Sequence, residues 1–438
     1  MSLLTHSLHR AMKPDRFKRL DLLLLQEKKS QNDLLQEQSL SLSKLIDLAR
    51  TKTTFYSEKF RFVTKDNEGK YDMTSLPILR KEDIIKNRES MLISDIERDA
   101  LFQGKTGGST GKPVAFYYDI NSIETMLAGS YRSYTWAGWQ PGDRVLHFWG
   151  AKQDLKGGSV IKSKISSWIT SESTIGVYEY TEENLRQWVD NILKYRPVII
   201  QGYASILAKL SKFISDSNIF IPCNIKAVFS TAEVLYDWQR KAIEKAFSCK
   251  VFNQYGSREI PNIACECSLG NFHTFTDMAY VESVIDGDES KLIVTSLSNY
   301  VMPFIRYEIG DLGRLKEGQC ECGSPFPMLE MGLCRSNDII VTRTGKNVYP
   351  SYFIHLLDGI NGVEQFQFIQ ENYTRIVLNI TMAKDTLAQD FEHIKDRIKH
   401  EIDSGMELTV NKVDVINRTM SGKYRYVINN ISSSSKLD

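Results

Sequence analysis

Brief apolar bursts alternate with longer amphipathic segments between residues 145 and 247, and this alternation restricts the fold more than any other feature of the chain. Val145-Leu146-His147-Phe148-Trp149, Val198-Ile199-Ile200 and Lys226-Ala227-Val228-Phe229 are too short for core helices and read as strands buried on both faces. Glu183 to Lys194, Ser205 to Ser215 and Asp237 to Phe247 carry helical spacing between them. Strands that alternate with helices predict an α/β fold with layered subdomains. After residue 270 the texture turns to β, with Ala279 to Ile285 and Lys291 to Ser296 predicted as strands across Asp286-Gly287-Asp288. Upstream, the first hundred residues look helical and polar, as in Leu34 to Leu48, and predict a surface cap. The segment from about 336 reads as a separate α+β module. It holds Asp338-Ile339-Ile340-Val341, a turn at Thr344-Gly345-Lys346, a strand from Thr374 to Thr381, a helix from Ala388 to Ile402 and a closing strand at Val413 to Ile416. The expected division is a large N-terminal domain, 1–335, with α/β and β subdomains, and a small mobile C-terminal domain, 336–438.

Composition narrows the function. The 55 Lys+Arg against 54 Asp+Glu give a formal net charge of +1, which supplies no general attraction to nucleic acid or to an anionic membrane. The most apolar N-terminal run, Leu20 to Leu25, is interrupted by Asp21 and is too short to span a bilayer. Seven cysteines in 438 residues are too few for a disulfide scaffold. The expectation is a cytoplasmic protein acting on small molecules, with no nucleic-acid partner and no membrane span.

Lys105-Thr106-Gly107-Gly108-Ser109-Thr110-Gly111-Lys112-Pro113 is the richest segment in chemistry. Three glycines let backbone N–H groups turn inward, hydroxyls add donors and a lysine adds charge, which together suit polyphosphate oxygens. It is not a Walker A loop, because Pro113 stands where that motif needs Ser or Thr after the lysine. Read alone, a flexible polar turn is the competing interpretation.

Read with the segments that follow, the loop resembles the Thr-Ser-Gly-Ser-Thr-Gly-x-Pro signature of adenylate-forming enzymes. Ser230-Thr231-Ala232-Glu233 is similar to that superfamily's adenine loop, and Asn253-Gln254-Tyr255-Gly256-Ser257-Arg258-Glu259 to its Tyr-Gly-x-x-Glu motif. Arg306-Tyr307-Glu308-Ile309-Gly310-Asp311 is similar to its Tyr-x-x-Gly-Asp motif. Arg335-Ser336-Asn337-Asp338 resembles the hinge, and Met420-Ser421-Gly422-Lys423-Tyr424-Arg425 the terminal Ser-Gly-Lys-x-Arg motif. Within the superfamily the resemblance is to the phenylacetate-CoA ligase branch and its capsule-biosynthesis relatives.

The resemblance implies ATP and Mg²⁺ as cofactors and a role for each matched residue. Ser109, Thr110, Gly111 and Lys112 would hold phosphates; Thr231, Ala232, Glu233, Asn253, Gln254, Tyr255, Gly256 and Ser257 would line the nucleotide site. Glu259 would hold Mg²⁺, Asp311 the ribose, and Arg335 the ribose or α-phosphate. Lys423 would be catalytic, bridging the acid and the α-phosphate as charge develops. Outside these motifs each would read more plainly: Lys423 as a solvated charge, Glu259 as a helix-start carboxylate, Asp311 as a turn residue. Two departures stand out, Gly107-Gly108 where the signature has Ser-Gly, and Asn337 where the hinge is usually Asp or Lys.

Cys267-x5-His273 with Cys320-x-Cys322 offers three thiolates and an imidazole, a set suited to structural Zn²⁺, within a segment of about 265–322. Cys265 competes for one position. By position His147, Trp149 and Tyr203 would line the acid pocket, and their aromatic character suggests an aryl or flat apolar acid. The expected reaction is ATP-dependent formation of an acyl-AMP, then transfer to a thiol, most simply CoA. The alternatives are an amide-forming ligase acting on an amino acid or sugar amine, and a catalytically silent nucleotide-binding scaffold. Expected partners are a small carboxylic acid and a CoA, carrier-protein or amine acceptor, with a homodimer admissible.

Overall fold

The computed structural model describes residues 3–106, 114–150, 171–177, 181–286, 289–335, 338–357, 360, 362–383, 391–419 and 422–431. The chain divides into two compact units. The larger comprises Met1–Ile309, Gly313–Glu330 and Met420–Lys423; the smaller comprises Gly310–Leu312, Met331–Thr419 and Tyr424–Asp438.

The large unit opens with helices Pro14–Gln26 and Gln31–Lys52, the second started by Ser30, whose hydroxyl accepts the Asp33 backbone N–H. These helices are more than the surface cap expected: Phe17, Leu20, Leu23 and Leu34 are buried against helix Ile120–Trp136 and the sheet. Two strands, β1 (Phe102–Lys105) and β2 (Ala115–Tyr118), pair antiparallel. The sheet proper begins with β3 (Val145–Trp149), β4 (Glu172–Gly176), β5 (Ile199–Tyr203), β6 (Ala227–Thr231) and β7 (Lys250–Tyr255). All five are parallel neighbours in the order β7-β6-β5-β3-β4. Helices Glu182–Tyr195, Ala204–Asp216 and Asp237–Phe247 supply the crossovers and close a core with Phe148, Ile200, Val228 and Val251 on one face. The opposite face buries Phe229, Phe252 and Cys265 beneath helix Ile120–Trp136. A sheet covered on both faces explains the continuous apolar bursts in the sequence.

β8 (Ala264–Glu266) and β9 (Phe272–Thr274) extend the same sheet antiparallel from β7. It continues through β10 (Ala279–Asp286), β11 (Glu289–Ser296), β12 (Tyr307–Lys316) and β13 (Met328–Arg335), eleven strands in all, with β13 paired to β9 and the order β13-β12-β11-β10 running out to the edge. The β10–β11 hairpin keeps full register from Ala279↔Ser296 to Asp286↔Glu289, as the turn signal predicts.

In the small unit, β14 (Ile340–Val341) and β15 (Asn347–Val348) form a hairpin whose turn includes Gly345 at φ 80°, a conformation that favours glycine. A four-stranded sheet follows: β16 (Val363–Asn372), β17 (Arg375–Met382), β18 (Glu407–Lys412) and β19 (Val427–Asn429), in the order β18-β17-β16-β19. Helix Glu392–Arg397, continued as a π-helical turn Ile398–Ile402, packs Ile394 and Ile398 with Phe353, Phe368, Ile376 and Leu378. The expected strand at Val413 to Ile416 is not formed. The chain is already paired one segment earlier, through β18 beside Arg375–Ile380, and Val415 is left 70% exposed. The architecture is the α/β class expected.

Candidate active site and metal cluster

In the parallel region the chain runs from β3 to β4 on one side and then to β5 on the other, so the strand order reverses between β3 and β5. Loops leaving the carboxyl ends of strands diverge at such a switch point and leave a crevice where ligands bind. Trp149 ends β3 and Tyr203 ends β5, their rings edge-to-face at 5.1 Å. His147 lies one side-chain row below, aligned with Gln201 of β5. Its Nδ1 donates to Gln201 Oε1 at 2.8 Å, and Gln201 Nε2 in turn donates to Gln254 Oε1. Burial lowers the pKa of His147, which keeps the imidazole neutral. The three expected pocket residues thus sit together, and Gln201 joins them; only strand register could have revealed that link.

One strand further along, β6 ends at Thr231 and Ala232 takes φ 70°, a costly left-handed conformation for a residue with a Cβ. Glu233 folds back so that its Oε2 accepts the Ser205 N–H at the start of helix Ala204–Asp216. Asn253, Gln254 and Tyr255 complete β7 beside Ser230–Thr231. Gly256 is required by space: a Cβ there would lie 2.8 Å from the Asn262 backbone nitrogen. The following turn is closed by Ser257 N–H to the Ile260 carbonyl at 2.9 Å and Ile260 N–H to Ser257 Oγ at 3.0 Å. Glu259 rides on this turn, where its Oε1 accepts from Tyr307 Oη at 3.2 Å, so it is not a helix-start carboxylate. Arg258 donates to the Lys105 carbonyl at 3.2 Å, tying the turn to the end of β1. Thr106 and Val114 exchange two hydrogen bonds of 2.9 Å and close the stem of the expected phosphate loop. Ser109, Thr110, Gly111 and Lys112 lie outside the described residues, as does Asn337.

Gly310 has φ 84°, and Asp311 follows it within β12. Arg335 closes β13, and only its backbone is described. Gly422 and Lys423 pack as part of the large unit, where a Cβ on Gly422 would fall 2.5 Å from the carbonyl carbon of Gly150, the residue after β3.

Cys267, His273, Cys320 and Cys322 converge with their ligand atoms within 4.8 Å of one another. Cys267 Sγ and Cys320 Sγ are 3.9 Å apart, and Cys322 Sγ lies 3.3 Å from His273 Nε2. Bonds of the usual zinc lengths in a tetrahedron would place sulfurs about 3.8 Å apart and sulfur about 3.6 Å from nitrogen. His273 Nδ1 donates to the Phe326 carbonyl at 2.8 Å, which fixes the ring with Nε2 toward the thiols. Burial lowers the pKa of His273 and favours the neutral form a metal needs. Asn271 Nδ2 and Ser324 N–H donate to Cys320 Sγ and Cys322 Sγ at 3.2 and 3.4 Å. Cys265 is not in the cluster; it is fully buried among Phe229, Phe252 and Phe275, and burial pushes its thiol up.

The chain as a whole is similar to several known proteins. Residues 340–430 match the CapK C-terminal domain family. Protein CapK of Staphylococcus aureus is 28% identical over 424 residues, covering 91% of this chain and 90% of that protein. Phenylacetate-coenzyme A ligase of Pseudomonas putida is 27% identical over 298 residues, 64% of each chain. Among solved structures, a 2-hydroxyisobutyryl-CoA ligase in the postadenylation state with 2-HIB-AMP superposes with a TM-score of 0.67 at 19% identity, over 90% of this chain and 89% of that one. The doubly covered parallel sheet with its switch point and these relatives together indicate an adenylate-forming ligase, an enzyme that uses ATP to convert a carboxylic acid into its acyl-AMP. Within that class the chain is similar to Protein CapK along most of its length and to the phenylacetate-coenzyme A ligases along about two thirds of it. No helix among the described residues is long and apolar enough to cross a membrane.

Proposed function

We propose that the enzyme joins a small carboxylic acid to AMP and then passes the acyl group to a thiol, most simply CoA. The observation that carries this reading is the meeting of Trp149, Tyr203 and the His147–Gln201–Gln254 relay at the switch point of the parallel sheet, with the Thr231–Glu233 segment alongside. Adenylation requires a carboxylate to approach a polyphosphate, so cations and N–H donors must neutralise the charge that gathers at the α-phosphate. Ser109, Thr110, Gly111 and Lys112 are assigned to the phosphates, Asp311 to the ribose, Arg335 to the ribose or α-phosphate, and Lys423 to the transition state. Glu259 suits Mg²⁺, because Tyr307 orients its carboxylate while an oxygen remains for a hard cation that keeps phosphate ligands as well. Asn253, Tyr255 and the 231–233 segment are assigned to the nucleotide. The 1–335 and 336–438 division is proposed as an adenylation domain and a lid. Zinc is assigned to the Cys267–His273–Cys320–Cys322 cluster in a structural role, where four protein ligands leave no position for substrate.

A second reading keeps the first half-reaction and delivers the acyl group to the amine of a sugar or amino acid. The acceptor stays open because the match to phenylacetate-coenzyme A ligase, whose name carries the thiol, covers 64% of this chain, while the match to Protein CapK runs through 91%. ATP–pyrophosphate exchange with a panel of acids, without CoA, tests activation itself. Product analysis after adding CoA or amines then decides the acceptor: a thioester supports the first reading and an amide the second.

A further inference from the structure

Gln254 is 8% exposed, and its Nε2 has no hydrogen-bond partner among the described residues. A buried amide donor left unpaired costs about 1–3 kcal/mol, so folded proteins keep few of them without a use. Its surroundings point to one. In the parallel sheet Thr231 is aligned with both Tyr203 and Gln254, and His147 is aligned with Gln201. Aligned residues share a face, so these side chains stand on the same side of the sheet at adjacent rows. Gln254 Oε1 is engaged by Gln201, so the side chain leans across β6 toward β5 and β3, the pair of strands at the switch point. His147 must carry its proton on Nδ1 to bond the Gln201 carbonyl oxygen. The relay is therefore directional, and it ends on the Gln254 amide with an N–H group to give.

We propose that Gln254, oriented through Gln201 by His147, is a specificity-determining residue, and that the acid it selects bears a hydroxyl or carbonyl oxygen which accepts from Gln254 Nε2. This rests on the adenylation reading and narrows its substrate class away from the flat apolar acid that the aromatic residues suggest. It also moves Gln254 from the nucleotide to the acid. A site with a buried donor discriminates strongly against a partner that cannot pair with it, because the penalty of the orphaned group returns.

The test is ATP–pyrophosphate exchange on matched pairs of acids, each an oxygen-bearing member and its hydrocarbon analogue of equal length, with wild type and Gln254→Leu. The expected result is that wild type prefers the oxygen-bearing member, and that Gln254→Leu shrinks the ratio of kcat/KM values about 10- to 100-fold while KM for ATP stays within about threefold. His147→Phe should shift the same ratio in the same direction, and a ratio is insensitive to partial loss of folded enzyme. Preference for the hydrocarbon members, or an equal loss on both members with a raised KM for ATP, would overturn the assignment. Exchange with no acid of either kind would overturn the adenylation reading and this inference with it, an outcome distinct from exchange without the oxygen preference.

Discussion

Gly256→Ala is a sharp probe of how the fold holds Glu259. A Cβ at this position would sit 2.8 Å from the Asn262 nitrogen and 3.3 Å from the Ile260 oxygen and the Pro261 carbonyl carbon. Ordinary contact begins at 3.4 Å, so the nearest approach falls short by 3.4 − 2.8 = 0.6 Å. All three neighbours are backbone atoms, and no side chain can swing away to relieve the clash. The turn is also pinned from behind, by Asn262 Nδ2 donating to the Met126 carbonyl at 2.7 Å. The added methyl must therefore displace the turn that carries Glu259. Overpacking of this kind costs about 1–3 kcal/mol, and misplacing a reacting group by about 1 Å costs about 100-fold in rate. We expect a small fall in thermal midpoint but a loss of about 100-fold in ATP–pyrophosphate exchange. Gly69→Ala is the control: φ is 77° and no atom lies within 4 Å of the added Cβ, so about 1–2 kcal/mol of backbone strain should leave exchange unchanged. Exchange by Gly256→Ala within twofold of wild type would refute the argument that this turn positions a carboxylate proposed to hold Mg²⁺.

Other consequences follow from the same geometry. Lys423→Ala should suppress adenylation by at least about 100-fold while ATP affinity changes only a few-fold, as expected for a group acting in the transition state; equilibrium binding beside exchange rates checks it. Freshly purified protein should carry about one zinc per chain by elemental analysis, and Cys322→Ser should lower both metal content and thermal midpoint. In the small unit Arg425 Nε donates to Asp338 Oδ1 at 3.0 Å, with both side chains largely buried, so Asp338→Asn should destabilise that unit by about 1–3 kcal/mol in denaturant titration. Burial, with Lys13 close by, lowers His9 to about 4, and its Nδ1 accepts the Gly142 N–H at 2.7 Å. The folded state thus holds His9 neutral while the unfolded chain protonates near 6.5. Its contribution is complete above that pH and is lost as pH falls toward 4, about 3 kcal/mol in all, and the pH–stability curve of His9→Asn should lack that component.

The parts of the fold that were legible in the sequence are those where local pattern and tertiary demand coincide. The burst at residues 145–149 and the helix at Asp237–Phe247 stand where the pattern puts them, because a doubly covered parallel sheet leaves apolar runs no other place. Val413 to Ile416 misleads because its apolar residues satisfy the strand pattern while β17 is already paired through Glu407–Lys412. For the candidate site, residue types and order indicated Cys267, His273, Cys320 and Cys322, but choosing Cys267 over Cys265 needed the side-chain directions. The His147–Gln201–Gln254 relay joins residues 54 and 53 positions apart, and only the strand order brings them together. Tyr307 lies within the Arg306–Asp311 motif, yet its bond to Glu259 is a tertiary contact over 48 residues that no local spacing encodes.

ATP–pyrophosphate exchange driven by a carboxylic acid, measured in the absence of CoA or amine, tests the central claim most directly. The account predicts exchange that needs both an acid and Mg²⁺ and that collapses in Lys423→Ala; background exchange across a broad acid panel, with ATP failing to bind, would contradict it.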